Sequence, residues 1–110
     1  MEAVVVFCTV PTEETAKTMA RTLVEERLAA CISILPGIRS LYRWEDAICD
    51  DAELLLLIKT RRELFTLLSQ RLQDIHPYQV PEILCLAVEQ GAPAYLNWLW
   101  AETEFEPEND

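Results

Sequence analysis

The apolar positions of this chain change period several times, and each change marks an element. Ala3-Val4-Val5-Val6-Phe7-Cys8 is a continuous β-branched and aromatic run closed by Pro11, which predicts a strand apolar on both faces. From Thr12 the period becomes helical. Ala16, Met19, Ala20, Leu23, Val24 and Leu28 share one face, and Lys17, Arg21, Glu25 and Glu26 share the other. Thr12 is placed to cap that helix, with Glu13 and Glu14 in a first turn whose dipole favours acids. Ala29 to Thr60 then reads as two long strands folded against each other. The first, Cys31 to Trp44, alternates loosely and is interrupted at Pro36-Gly37. The second ends in the apolar run Leu54-Leu55-Leu56-Leu57-Ile58, and an acidic tip around Glu45 and Asp46 separates them; with Asp50, Asp51 and Glu53 it would attract cations but reads as a solvated charge run. Such strands far exceed the usual length of roughly five or six residues.

Thr60-Arg61-Arg62-Glu63 has capping-box spacing and predicts the start of a second helix. Its stripe is Leu64, Phe65, Leu68, Leu72 and Ile75, and it must stop before Pro77. Ile83 to Val88 reads as a further strand, and Gly91 with Pro93 introduces a third helix through Tyr95, Leu96, Trp98 and Leu99. The order strand, helix, strand, strand, helix, strand, plus a terminal helix, is the split βαβ pattern of α+β ferredoxin-like domains. Right-handed crossovers give an antiparallel sheet in spatial order 4-1-3-2, with both long helices on one face. The other face is then open although it is apolar. Each large side chain left in water there forgoes about 1.5–3 kcal/mol. The pattern therefore predicts a homo-oligomer in which open faces meet and the long hairpin reaches into a neighbour.

Composition narrows the partners. With 110 residues the chain suits a single domain, here residues 1–101 followed by an acidic tail, 102–110. A net charge of −10 argues against nucleic acid, whose phosphates require a surplus of Lys and Arg. No apolar run approaches the roughly 20 residues that span a bilayer, and no basic segment precedes Ala3, so no membrane contact and a cytoplasmic location are expected. Cys8, Cys31, Cys49 and Cys85 form no C-x-x-C pair and are read as buried thiols of a reducing compartment. With glycine only at 37 and 91, neither a phosphate loop nor a dinucleotide fingerprint can be drawn. The single histidine has no evident nucleophile set against it, so an enzyme is the weaker class, and no organic cofactor is expected.

The topology brings four features to one end: the segment after Cys8, the hairpin tip with Trp44 and Glu45, His76, and Glu82. The loop Ile75-His76-Pro77-Tyr78-Gln79-Val80-Pro81-Glu82 is stiffened by two prolines and carries the only histidine. Cys8 and His76 on one edge would suit copper or zinc. A histidine before a proline equally suits a loop-fixing hydrogen-bond partner, and Cys8 equally suits the core.

Phe7-Cys8-Thr9-Val10-Pro11, Leu23 to Cys31, Pro36 to Trp44, Leu57-Ile58-Lys59-Thr60 and His76 to Ile83, in this order and spacing, resemble the CutA divalent-cation tolerance proteins. Tyr95-Leu96-Asn97-Trp98-Leu99 is similar to that family's last helix. The resemblance implies a ferredoxin-like, cytoplasmic homotrimer that acts in the response to metal ions and binds copper or a similar divalent cation weakly. It implies Cys8 and His76 as ligands. It also implies an intersubunit cleft lined by Tyr42, Trp44, Lys59, His76, Tyr78 and Glu82. The alternative function is a signalling or scaffold trimer, similar to PII proteins, that binds a small molecule in that cleft. Three positions depart from the family pattern. Ile75 stands where some members carry a second histidine, Ser33 where Asn is usual, and Asp46 where Gly is usual, the last implying a different turn at the hairpin tip.

Overall fold

A computed structural model describes residues 1–104. Four strands and three helices follow in the order β1 (Ala3–Val10), α1 (Glu13–Glu25), β2 (Cys31–Trp44), β3 (Ala47–Arg61), α2 (Phe65–Ile75), β4 (Leu84–Ala87) and α3 (Pro93–Glu102). The sheet is antiparallel throughout, in spatial order β2-β3-β1-β4, as the crossover rule requires. Alternation along β1 and β3 sorts the side chains. Val4, Val6, Cys8 and Val10 pair with Thr60, Ile58, Leu56 and Leu54, and the apolar members of this layer form the main core with Ala16, Met19 and Leu23 of α1 and Leu68 and Leu72 of α2. Val5, Phe7, Leu55 and Leu57 occupy the alternate positions and are only partly buried.

The sequence describes that second face as wholly open, and the structure corrects this at one end. Leu99 of α3 is buried against Ala3 and Ala30, with Val88, Leu96 and Trp100 packed around them. Arg61 fastens the helix there. Its Nε donates to Thr103 Oγ1 at 3.0 Å, its Nη2 donates to the Trp100 carbonyl at 2.6 Å, and its guanidinium lies 5.4 Å from the Trp100 ring centroid. α3 runs through Glu102 and Thr103 is buried, so the acidic segment keeps these residues in the fold; residues 105–110 lie outside the described part. Leu35, Leu84 and Leu86 remain exposed on the uncovered part of the face.

Helix ends show where local signals hold and where tertiary structure overrides them. The Thr12 hydroxyl accepts the Thr15 N–H at 3.1 Å and caps α1. At the other end Leu28 N–H bonds to Leu23 O and Arg27 N–H to Val24 O, with Arg27 left-handed at φ 60°, a Schellman closure made without glycine. The expected capping box at Thr60 does not form. Thr60 stays in β3 opposite Val4 and gives its hydroxyl to Leu28 O, because the β1 ladder holds the chain extended to Arg61. A 3₁₀ turn, Arg62–Leu64, then leads into α2.

The hairpin of β2 and β3 keeps register from Cys31–Lys59 to Trp44–Ala47, with an irregularity between Leu35 and Ile38 where Gly37 takes φ 78°. Glu45 and Asp46 form the two-residue tip and both have positive φ, 49° and 64°. That is the geometry of a type I′ turn, which prefers Asn-Gly. Replacing Glu45-Asp46 by Asn-Gly is expected to stabilise the protein by about 1 kcal/mol, read as a higher urea midpoint at unchanged slope.

Candidate functional site

β1 ends at Val10, opposite Leu54, while β2 and β3 continue beyond it as a paired arm to the hairpin tip. The loop from α2 to β4 lies beside the space that β1 leaves. Between the arm and this loop is a cleft of about 750 Å³, lined from the arm by Arg39, Tyr42, Trp44 and Glu53 and from the loop by Tyr78 and Glu82, with Thr9 at its base. Four of the residues expected from sequence, Tyr42, Trp44, Tyr78 and Glu82, therefore share one cavity. Lys59 is not among them within the chain. It lies six residues down β3 from Glu53, roughly 20 Å away at strand rise. There its ammonium donates to Ser33 Oγ and lies 3.7 Å from Cys31 Sγ.

His76 fixes the loop. It is the first residue after α2, buried, and both ring nitrogens are engaged. The Tyr78 backbone N–H donates to Nδ1 at 3.0 Å, so Nδ1 carries a lone pair. Nε2 therefore bears the proton and donates it to the Thr9 carbonyl at 2.8 Å. One ring thus ties the loop to the end of β1. Cys8, the other expected metal ligand, is 0% exposed and belongs to the main core. Burial, with the Glu82 and Glu53 carboxylates adding to it, pushes its thiol up to about 12. As folded, the pair presents a neutral thiol and an imidazole with no free nitrogen. A metal ion there has to displace a hydrogen bond and take up a thiolate that the surroundings disfavour.

Sequence reasoning assigned Glu53 to a solvated acidic tip, and the structure places it elsewhere. It is 6% exposed, and Tyr78 Oη donates to its Oε2 at 2.6 Å. Burial and this bond both raise the Tyr78 hydroxyl, because ionising it would set a second negative charge beside Glu53. Asp51, two residues up the arm and on the same face, accepts the Tyr42 hydroxyl at 2.5 Å, and that bond is the main reason the phenol is pushed up to about 12. The signal for Glu53 was its phase: it shares alternation with Leu55 and Leu57, so it had to face the same side of the sheet as they do.

The chemistry open to this arrangement is binding. The cleft has three aromatic rings and two carboxylates, Glu53 and Glu82, and its one cation, Arg39, is engaged by Asp50 at 2.7 and 3.3 Å. Among the described residues, no three His, Cys, Asp or Glu side chains converge as a metal ligand set. The buried, raised thiol has a direct consequence. Iodoacetamide at neutral pH is expected to label Cys8 only after unfolding, and peptide mapping of natively treated protein should find position 8 unmodified.

The sequence matches the family described as CutA1 divalent ion tolerance protein over residues 4–102. It is 52% identical over 99 residues to the divalent-cation tolerance protein CutA of Thermus thermophilus, covering 90% of this chain and 96% of that one. Human protein CutA is 45% identical over 98 residues, covering 89% of this chain but 55% of its own length. Among solved structures, CutA1 from Oryza sativa superposes with a TM-score of 0.93 at 42% identity, over 96% of this chain and 97% of that one. The Thermus thermophilus relative carries the name of a tolerance protein. Sequence, topology and superposition agree over the whole described domain, and the chain belongs to the CutA1 divalent ion tolerance family.

Proposed function

We propose that this protein acts in the response to divalent cations as a homotrimer and takes up copper or a similar ion weakly. The observation that carries the assembly is the uncovered face of the sheet. Val5, Phe7, Leu55 and Leu57 are half-buried there, and Leu84 and Leu86 are exposed beside them. The hairpin arm adds Leu41 at 67% and Ile48 at 64% exposure. An arm on one side and an apolar face on the other make a heterologous pair of surfaces, which closes into a ring when each subunit feeds the next. Three such subunits fit the family resemblance. A cytoplasmic setting is supported by four free thiols, although a relative from Arabidopsis thaliana is described as chloroplastic and one from Archaeoglobus fulgidus as periplasmic. No helix among the described residues is long and apolar enough to cross a membrane.

Weak affinity follows from the state of the proposed ligands. Copper reaching Cys8 and His76 must break the Thr9 or Tyr78 bond to the imidazole and displace a proton from a thiol whose thiolate the surroundings disfavour. Isothermal titration with copper(II) is expected to give a weak one-per-chain event in the native protein. Both Cys8→Ala and His76→Ala should weaken it by about tenfold or more. Unchanged titration in both variants removes the copper assignment while leaving the assembly intact. Assembly has its own test. Leu57→Asp places a carboxylate on the apolar face and is expected to yield smaller species in light scattering, whereas the same change at exposed Thr66 should not.

A further inference from the structure

Of the nine Lys and Arg side chains in the sequence, seven lie in an ion pair with a carboxylate among the described residues. The two left over are Arg43 and Lys59. Arg43 is exposed on the hairpin arm and keeps its water. Lys59 is half-buried on the uncovered sheet face, in phase with Leu55 and Leu57 and opposite Val5. There its ammonium meets only the Ser33 hydroxyl and the Cys31 thiol, two neutral groups for three N–H donors. Such neighbours replace little of the hydration that an ammonium gives up.

Glu53 is the converse case. It is 6% exposed, its hydrogen bond comes from the neutral Tyr78 hydroxyl, and no ion pair among the described residues includes it. The remaining carboxylates of the arm, and Glu82 on the loop beside it, are exposed and served by water. One acid and one base are thus left part-way out of water without a partner. Alternation along β3 puts both on the same face, Glu53 at the root of the arm and Lys59 toward the α3 end. Six residues of strand, roughly 20 Å, keep them apart within one chain. A contact in which the arm of one copy meets the sheet face of the next removes that separation.

We infer that Lys59 of the partner subunit is the counter-ion of Glu53, so that each contact between copies is closed by one ion pair set in apolar surroundings. This rests on the arm-to-face assembly proposed above and adds a register to it. Apolar surfaces tolerate sliding. A slipped copy, however, leaves a buried carboxylate and a buried ammonium both unpaired, and that is strongly unfavourable. The pair selects one alignment of the arm on its neighbour.

A double-mutant cycle on the full chain tests this, read as the dissociation constant of the assembly in sedimentation equilibrium. Glu53→Gln and Lys59→Met each remove one charge at nearly constant volume, and each is expected to raise that constant by about tenfold or more. The double variant should be no worse than either single one, because the second change removes a charge already without a partner. Glu82→Gln should leave the constant unchanged. Charge reversal gives a second reading that does not need the single variants to assemble: Glu53→Lys or Lys59→Glu alone should abolish assembly, and the two together in one chain should restore it. Additive effects in the neutral cycle overturn the pairing, as does a reversed pair that assembles no better than its single variants, or coupling of Lys59 to Glu82 instead. In those outcomes an assembled native protein keeps the arm-to-face reading, whereas a native protein that is monomeric removes both.

Discussion

The ladder between β1 and β3 stops at the Val10–Leu54 pair, while β2 and β3 continue together to Trp44 and Ala47. This inequality of strand length is the constraint on which the rest of the molecule depends. Where β1 accompanies β3, the sheet is wide enough to carry α1 and α2 on one face and α3 on part of the other. Where β1 is absent, the two remaining strands project as an arm with little of its own chain to pack against, and the loop before β4 comes in beside it. The arm supplies the exposed Leu41 and Ile48, and the junction between arm and loop supplies the cleft. A two-stranded ribbon is marginal alone in water. Its length therefore makes sense only if further surface covers it.

The junction is held by a small set of polar contacts rather than by packing alone. His76 bridges the Thr9 carbonyl and the Tyr78 backbone, which fixes the loop to the end of β1, and the Tyr78 hydroxyl then fixes the loop to Glu53 of the arm. The His76 and Tyr78 rings lie 4.7 Å apart, so the same two residues also stiffen each other. Burial raises the cost of leaving any of these groups unpaired, and that makes the chain Thr9–His76–Tyr78–Glu53 a unit. In this setting the histidine is a clamp, and any ligand role it takes must come at the clamp's expense. The carboxylate at the far end of the unit keeps one oxygen facing the cavity, which makes it the more available group.

Most of the architecture was legible because it rests on period and topology. The two-fold alternation of β1 and β3, the 3.6 period of α1 and α2, Thr12, Pro77 and Pro93 each carry their meaning locally. Strand order followed from handedness. Three features were not legible for one shared reason: each is decided by residues distant in sequence. Thr60 has the right neighbours for a helix cap but is claimed by the ladder to Val4. α3 has an apolar composition with no dominant face, and its place was set by Arg61 and by the small side chains Ala3 and Ala30. Glu53 reads as one acid among several until the Tyr78 loop closes over it. The shared edge of Cys8, His76, Trp44 and Glu82 was visible from topology, but the state of the first two, a core thiol and a doubly bonded imidazole, required their neighbours. Lys59 was assigned to an intersubunit cleft by family resemblance alone, and within the chain its ammonium meets Ser33 and Cys31.

The central claim is that a sheet with one uncovered apolar face and an overlong hairpin is a part of a larger object. Sedimentation equilibrium of the purified native protein over a wide concentration range tests it most directly. The account predicts a single species of three chain masses that persists on dilution, since the apolar character of the face and arm is that of a permanent interface. A monomer that stays soluble and folded at every concentration would contradict it.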